Sequence, residues 1–111
     1  MDEDVHKING PAFVFDPGTY FILDANHAFL NLYGYSLVEL KAMRILQLRP
    51  PQEIPEAIKL MEDTKGNILY SGESTHQKKN GEKIHVQVYG KRYHKDNKEH
   101  YLVKIKLKQE S

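Results

Sequence analysis

The densest structural signals in this chain lie in residues 20–39, which read YFILDANHAFLNLYGYSLVE. Asn26 suits a helix N-cap, because its side-chain oxygen can accept hydrogen bonds from the free N–H groups of a first turn. Gly34 is placed to end that helix, since glycine adopts the left-handed conformation without steric cost. Ser36 and Glu39 have the spacing of a capping box, which starts a second helix. The stretch therefore predicts a strand that ends at Asn26, followed by two short helices.

Two strands are predicted before these helices. Residues 12–16 are rich in aromatic and β-branched side chains, as strands are. Residues 16–19 then form a turn, because proline presets φ and glycine accepts a positive φ. In the second strand Phe21, Leu23 and Ala25 share one parity, which predicts that these three side chains face the core.

The region after the second helix is predicted to be helical and irregular. Residues 43–48 fit one short turn, and the Pro50-Pro51 pair interrupts it. Residues 52–64 form the longest helix candidate, with i, i+3, i+4, i+7 spacing of one apolar face at Ile54, Ala57, Ile58 and Met61. The sequence assigns no element to residues 66–72.

The last part of the chain has β periodicity. Strands are predicted at residues 73–79 and 83–94, and Asn80-Gly81 between them is a strong hairpin signal. Asp96-Asn97 turns the chain into a last strand, in which apolar residues alternate with lysines up to residue 108. This alternation indicates a half-buried sheet, so the lysines are interpreted as its solvated face and not as a nucleic-acid site.

Several of these motifs, taken in order, resemble the signature of PAS domains, the sensory modules of bacterial signalling proteins. They are Asn26-x-Ala28-Phe29, Tyr33-Gly34-Tyr35-Ser36-x-x-Glu39-Leu40, Leu48-Arg49-Pro50-Pro51 and His76-Gln77-Lys78-Lys79-Asn80-Gly81. The resemblance implies an α+β fold, in which short helices pack on one face of a five-stranded antiparallel sheet. The first and last strands are then adjacent at its centre.

The expected organisation is a single PAS domain over residues 12–108. Residues 1–11 are interpreted as a flexible leader or N-terminal cap, and residues 109–111 as a tail. At 111 residues the chain fits one domain, and its acidic start does not resemble a signal peptide. No apolar run approaches the length of a membrane span. We therefore expect a cytoplasmic domain without membrane insertion by this segment.

The resemblance also implies a ligand-binding cleft between the helices and the sheet. Its expected lining is Phe15, Leu23, Tyr33, Leu48, Ile58, Met61, His76, Val86, Val103 and Ile105. Two interpretations stay open, because these residues could hold a ligand or only fill a core. His76 likewise could hydrogen-bond a ligand or a neighbouring strand.

The residues that the sequence lacks limit which cofactors the domain could bind. The chain has no cysteine, which excludes the cysteinyl flavin adduct and the cinnamoyl chromophore of other PAS proteins. Haem is not expected, since no histidine lies in residues 52–64, and Met61 fits core packing better than axial ligation. The six histidines show no spacing typical of a metal site.

Two functions remain from different classes. The first is a sensory domain that binds a small ligand and regulates an effector, such as a histidine kinase, in the same or another chain. The alternative is a ligand-free module that forms a homodimer through the outer sheet face, at Val14, Tyr89 and Leu102, and through the N-terminal segment. An enzyme is not expected, because no phosphate loop, nucleophile elbow or cysteine nucleophile is present.

Overall fold

The chain folds around one antiparallel sheet, seen in a computed structural model that describes residues 4–64 and 66–108. The strand order is β2-β1-β5-β4-β3, so the first and last strands are adjacent at the centre, as predicted. The strands are β1 (Ala12–Phe15), β2 (Ile22–Ala25), β3 (Leu69–Gln77), β4 (Lys83–Lys95) and β5 (Lys98–Leu107).

The helices connect β2 to β3 and cover one face of the sheet. The α-helices are α1 (His27–Tyr33), α2 (Leu37–Lys41) and α3 (Ile54–Asp63). Short 3-10 turns lie at Val5–Lys7, Ile45–Leu48 and Pro51–Glu53. This arrangement confirms the predicted α+β fold.

The helix boundaries follow local side-chain chemistry and confirm the prediction for residues 26–39. The Asn26 oxygen accepts from the backbone N–H of Phe29 at 3.0 Å. Gly34 caps α1 with φ 84° in the left-handed region. Ser36 and Glu39 form both hydrogen bonds of the capping box, at 3.1 and 2.9 Å. These caps fix where the chain leaves the sheet and turns back over it.

The second strand differs from the predicted parity. Phe13 pairs with Ala25 and Phe15 with Ile22, and this register leaves Leu23 as the extra residue of a β-bulge. The bulge brings Ile22 and Ala25 to the core side, where both are buried. Leu23 instead packs with the small cluster on the opposite face. The prediction that Leu23 faces the core was therefore wrong.

The C-terminal strands form two hairpins. Asp96 and Asn97 both have positive φ, at 53° and 63°, and they connect β4 to β5 in a tight turn. The β3–β4 connection is longer than a two-residue turn, and in it the Lys78 N–H donates to the Glu82 carbonyl at 2.8 Å. Strand β3 begins at Leu69, so part of the unassigned stretch 66–72 belongs to it. Its Ser, Gly and Glu residues have weak β-propensity, which hid the strand in the sequence.

The outer face of the sheet carries a second apolar cluster under the N-terminal segment (residues 4–11). Val5 is buried there against Val14 and Leu102. The Asn26 amide holds this segment, because its NH₂ group donates to the carbonyls of Val5 and Gly10 at 3.2 and 2.9 Å. Val14 and Leu102 are therefore covered, which corrects their assignment to an open dimer surface.

Candidate ligand-binding cleft

A cavity of about 140 Å³ lies between the helices and the core face of the sheet. Strands β1, β3, β4 and β5 form one wall, and α3 with the Ile45–Leu48 turn forms the other. Most of its lining is aromatic or aliphatic. Polar side chains line it at Arg49, Thr64, Ser74, His76 and Arg92.

Half of the residues predicted from the sequence line this cavity. Phe15 and Val103 lie on its sheet wall, Leu48 and Met61 on its helical wall, and His76 on β3. These five residues come from five different elements, and the fold brings them together at the cavity.

Three other predicted residues are buried in the adjoining core and do not line the cavity. Val86 and Ile105 belong to the same core cluster as Phe29. The Tyr33 ring is fully buried and stacks on Phe29 with ring centroids 4.0 Å apart. For these positions the interpretation as core filling is the one that matches the geometry.

The predicted face of α3 needs a correction at Ile58. Ile58 is 42% exposed and does not line the cavity. The helix presents Ala57, Leu60, Met61 and Thr64 instead, again with i, i+3, i+4, i+7 spacing. The helix contacts the Ile45–Leu48 and Pro51–Glu53 turns, and in this position Ile58 faces solvent.

His76 is a buried polar group, and a hydrogen bond with Tyr33 fixes its state. The Tyr33 oxygen lies 2.6 Å from His76 Nδ1. Burial, together with the smaller effect of the positive charge of Arg49, lowers the pKa of His76 to about 3. Burial also raises the pKa of Tyr33. The hydrogen bond therefore joins a neutral hydroxyl to a neutral imidazole.

Two arginines that the sequence reasoning missed line the cavity. Arg49 precedes Pro50, which keeps it extended at φ −91° and ψ 152°. Arg92 follows the alternation of Val86 and Val88 along β4, so parity alone could have placed it on the core side. The positive charge of Arg92 indicated the opposite face, since an arginine in a strand suggests a position exposed to solvent.

Gly90 allows the Tyr101 ring to pack against the β4 backbone beside Arg92. A Cβ atom at Gly90 would collide with the Tyr101 ring, which lies directly against the β4 backbone. Residue 90 pairs with Val103 in the neighbouring strand, and Arg92 pairs with Tyr101. The Tyr101 ring thus lines the cavity beside Arg92.

The comparison with known families explains this architecture. The sequence profile described as "PAS domain" matches residues 10–105. The chain belongs to the PAS family.

Solved PAS structures share the fold at low sequence identity. A PAS domain from a two-component sensor histidine kinase is 14% identical, with a TM-score of 0.79 over 94% of this chain and 89% of that chain. A PAS domain from Desulfitobacterium hafniense is 22% identical, with a TM-score of 0.80 over 92% and 95%. The Rhodobacter sphaeroides LOV protein is 14% identical, with a TM-score of 0.78 over 93% and 61%. A search of curated proteins gave no significant match.

Two further properties hold for the residues that the structure describes. None of their helices has the length and hydropathy needed to span a bilayer. Nor do any three of their histidine and acidic side chains come together in a group that could hold a metal ion.

Proposed function

We propose that this PAS domain binds a small apolar or amphipathic molecule in its cleft and thereby regulates an effector, such as a histidine kinase. The cavity between α3 and the sheet is the observation that carries the proposal. This cleft of about 140 Å³ is open to solvent and is lined mostly by apolar side chains with a few polar ones. Small-molecule sites in proteins have this form.

Strand β5 offers a route from the cavity to the opposite face of the sheet. Val103 lines the cavity, while its neighbour Leu102 packs under the N-terminal segment. Successive residues of a strand point to opposite faces, so a ligand that shifts Val103 also moves Leu102. The ligand would then change how tightly the N-terminal segment is held.

Native mass spectrometry of the purified protein tests the binding proposal. We expect a stoichiometric extra mass that is lost on denaturation. Ala57→Phe fills the cavity from α3 and should abolish this mass, while Val38→Phe is a matched control at a site on α2 that is 82% exposed. A wild-type protein without extra mass, or a folded Ala57→Phe variant that keeps it, would contradict the proposal.

The second candidate function is dimerisation through the part of the outer face that stays open. Tyr89 is 45% exposed, and it lines a shallow groove with Leu69 and Lys104. A homodimer at this groove would bury these side chains and could extend to the N-terminal segment. Light scattering should then give a dimer for the wild type and a monomer for Tyr89→Glu; a monomeric wild type removes this candidate.

A further inference from the structure

Arg92 carries an unsatisfied hydrogen-bond donor at the cavity. Its Nε atom is buried and has no hydrogen-bond partner, although the side chain lines the cavity. A buried polar group without a partner costs free energy, and more so when it belongs to a charged side chain. Nε has no surface open to the cavity in this side-chain position, so it gains a partner only when the guanidinium turns towards the cavity. A ligand that accepts a hydrogen bond from Nε–H in that position would remove the cost.

The charged side chains that line the cavity are positive, and an ion pair with Glu99 outside the lining offsets part of the Arg92 charge. Among the described residues that line it, the charged side chains are Arg49 and Arg92. The carboxylate of Glu99 lies outside the lining, and one of its oxygens is 3.6 Å from Nη1 of Arg92. That separation is too long for a hydrogen bond, and Glu99 is half exposed and also lies 3.4 Å from His94. Glu99 therefore does not satisfy the Nε–H.

The rest of the cavity suits an apolar body of limited size. Phe13, Phe15, Met61 and Val103 provide aromatic and aliphatic contacts. An apolar cavity of about 150 Å³ holds a benzene-sized molecule, which is close to the volume here. The body of a ligand should therefore contain about six to eight carbon atoms.

We propose that the ligand of this cleft is a small carboxylate with an apolar body, whose carboxylate accepts a hydrogen bond from Nε of Arg92. Guanidinium groups match carboxylates in both charge and geometry. Arg49 adds positive potential without being the anchor. The inference rests on the proposed sensory function, because it names the chemical class that the cleft takes.

Matched pairs of probes test the charge requirement. Benzoate and hexanoate are titrated into the wild-type protein beside their neutral amides, benzamide and hexanamide, and dissociation constants are measured by calorimetry. We expect each carboxylate to bind at least about tenfold more tightly than its amide, because a charge-assisted hydrogen bond is stronger than a neutral one. The ¹⁵N–¹H signal of Arg92 Nε should shift with the carboxylate.

Variants separate Arg92 from general charge effects. Arg92→Gln should remove the preference for carboxylates, and Arg92→Lys should restore only part of it because lysine lacks the fork of donors. Lys106→Gln removes the same charge from an exposed position on β5 outside both the cavity and the groove, and it should keep the full preference. Thermal melts without probe establish that each variant is folded.

The outcomes distinguish this inference from the proposed function. Equal binding of amides and carboxylates, or an unchanged preference in Arg92→Gln, overturns the carboxylate inference while ligand binding in the cleft stands. Failure of all four probes to bind also overturns the inference for ligands of this size. The extra mass in the native spectrum then decides the proposed function separately.

Discussion

The buried pair of Tyr33 and His76 shows how one residue can link stability to pH. His76 is 6% exposed, and its pKa of about 3 lies well below the ordinary value of 6.5. The folded protein therefore keeps the imidazole neutral, while the unfolded chain binds a proton below about pH 6.5. Stability from this site is complete above that pH and is lost as the pH falls towards the folded pKa.

We predict that His76→Asn flattens the acid side of the stability profile. Asparagine keeps an acceptor for the Tyr33 hydroxyl but does not titrate. Urea unfolding between pH 7.5 and 4 should show that the wild type loses up to about 1.4 kcal/mol per pH unit more than the variant. If the free energy of unfolding of the two proteins falls equally with pH, His76 is not both neutral and buried in the folded protein.

At the scale of elements, β4 depends on a glycine opposite an aromatic ring. The Tyr101 ring of β5 occupies the space that a side chain at Gly90 would need. This contact lets β4 and β5 pack closely beside the cavity. It also places Tyr101 next to Arg92, since these two residues pair across the strands.

Gly90→Ala should destabilise the domain although alanine suits a strand interior better than glycine does. We expect a loss of about 1–3 kcal/mol, typical of overpacking, because the ring must move away from the β4 backbone. Chemical denaturation measures this loss. In a protein that already carries Tyr101→Ala, adding Gly90→Ala should cause no further loss of stability. If Gly90→Ala costs as much there as in the wild type, the clash with the Tyr101 ring is disproved.

The elements differ in how far the sequence predicted them. The helix ends at Asn26, Gly34 and Ser36 were predictable because a side chain and the adjacent backbone determine them locally. The face of the sheet on which Leu23 lies was not predictable, because a β-bulge depends on the register in which β2 pairs with β1. The orientation of α3 was not predictable either, because it depends on how the helix packs against the two 3-10 turns that precede it.

At the scale of the whole molecule, the central strands carry one core on each side. Val103 belongs to the large cluster under the helices, and Leu102 belongs to the small cluster under the N-terminal segment. The family motifs predicted this architecture well. They could not separate the residues around the cavity from those in the solid core, such as Tyr33 and Val86, because both groups are apolar and the division depends on three-dimensional packing.

Ile105→Asp should unfold the domain, since the carboxylate would be buried in the core of a central strand without a partner. Lys104, the preceding residue, is exposed on the outer face, and Lys104→Ala should change the free energy of unfolding by less than about 0.5 kcal/mol. Circular dichroism melts compare the two variants. A cooperative wild-type melt for Ile105→Asp would mean that the strand is wrongly placed.

The central claim is that the cavity between α3 and the sheet is a ligand site. The most direct test compares ¹H–¹⁵N spectra of the protein as isolated from cells and after unfolding and refolding in buffer, which strips a bound molecule. We predict chemical-shift changes concentrated at the cavity lining, including Ala57, Met61, His76 and Val103. Identical spectra, or changes confined to the outer face near Tyr89, would contradict the claim.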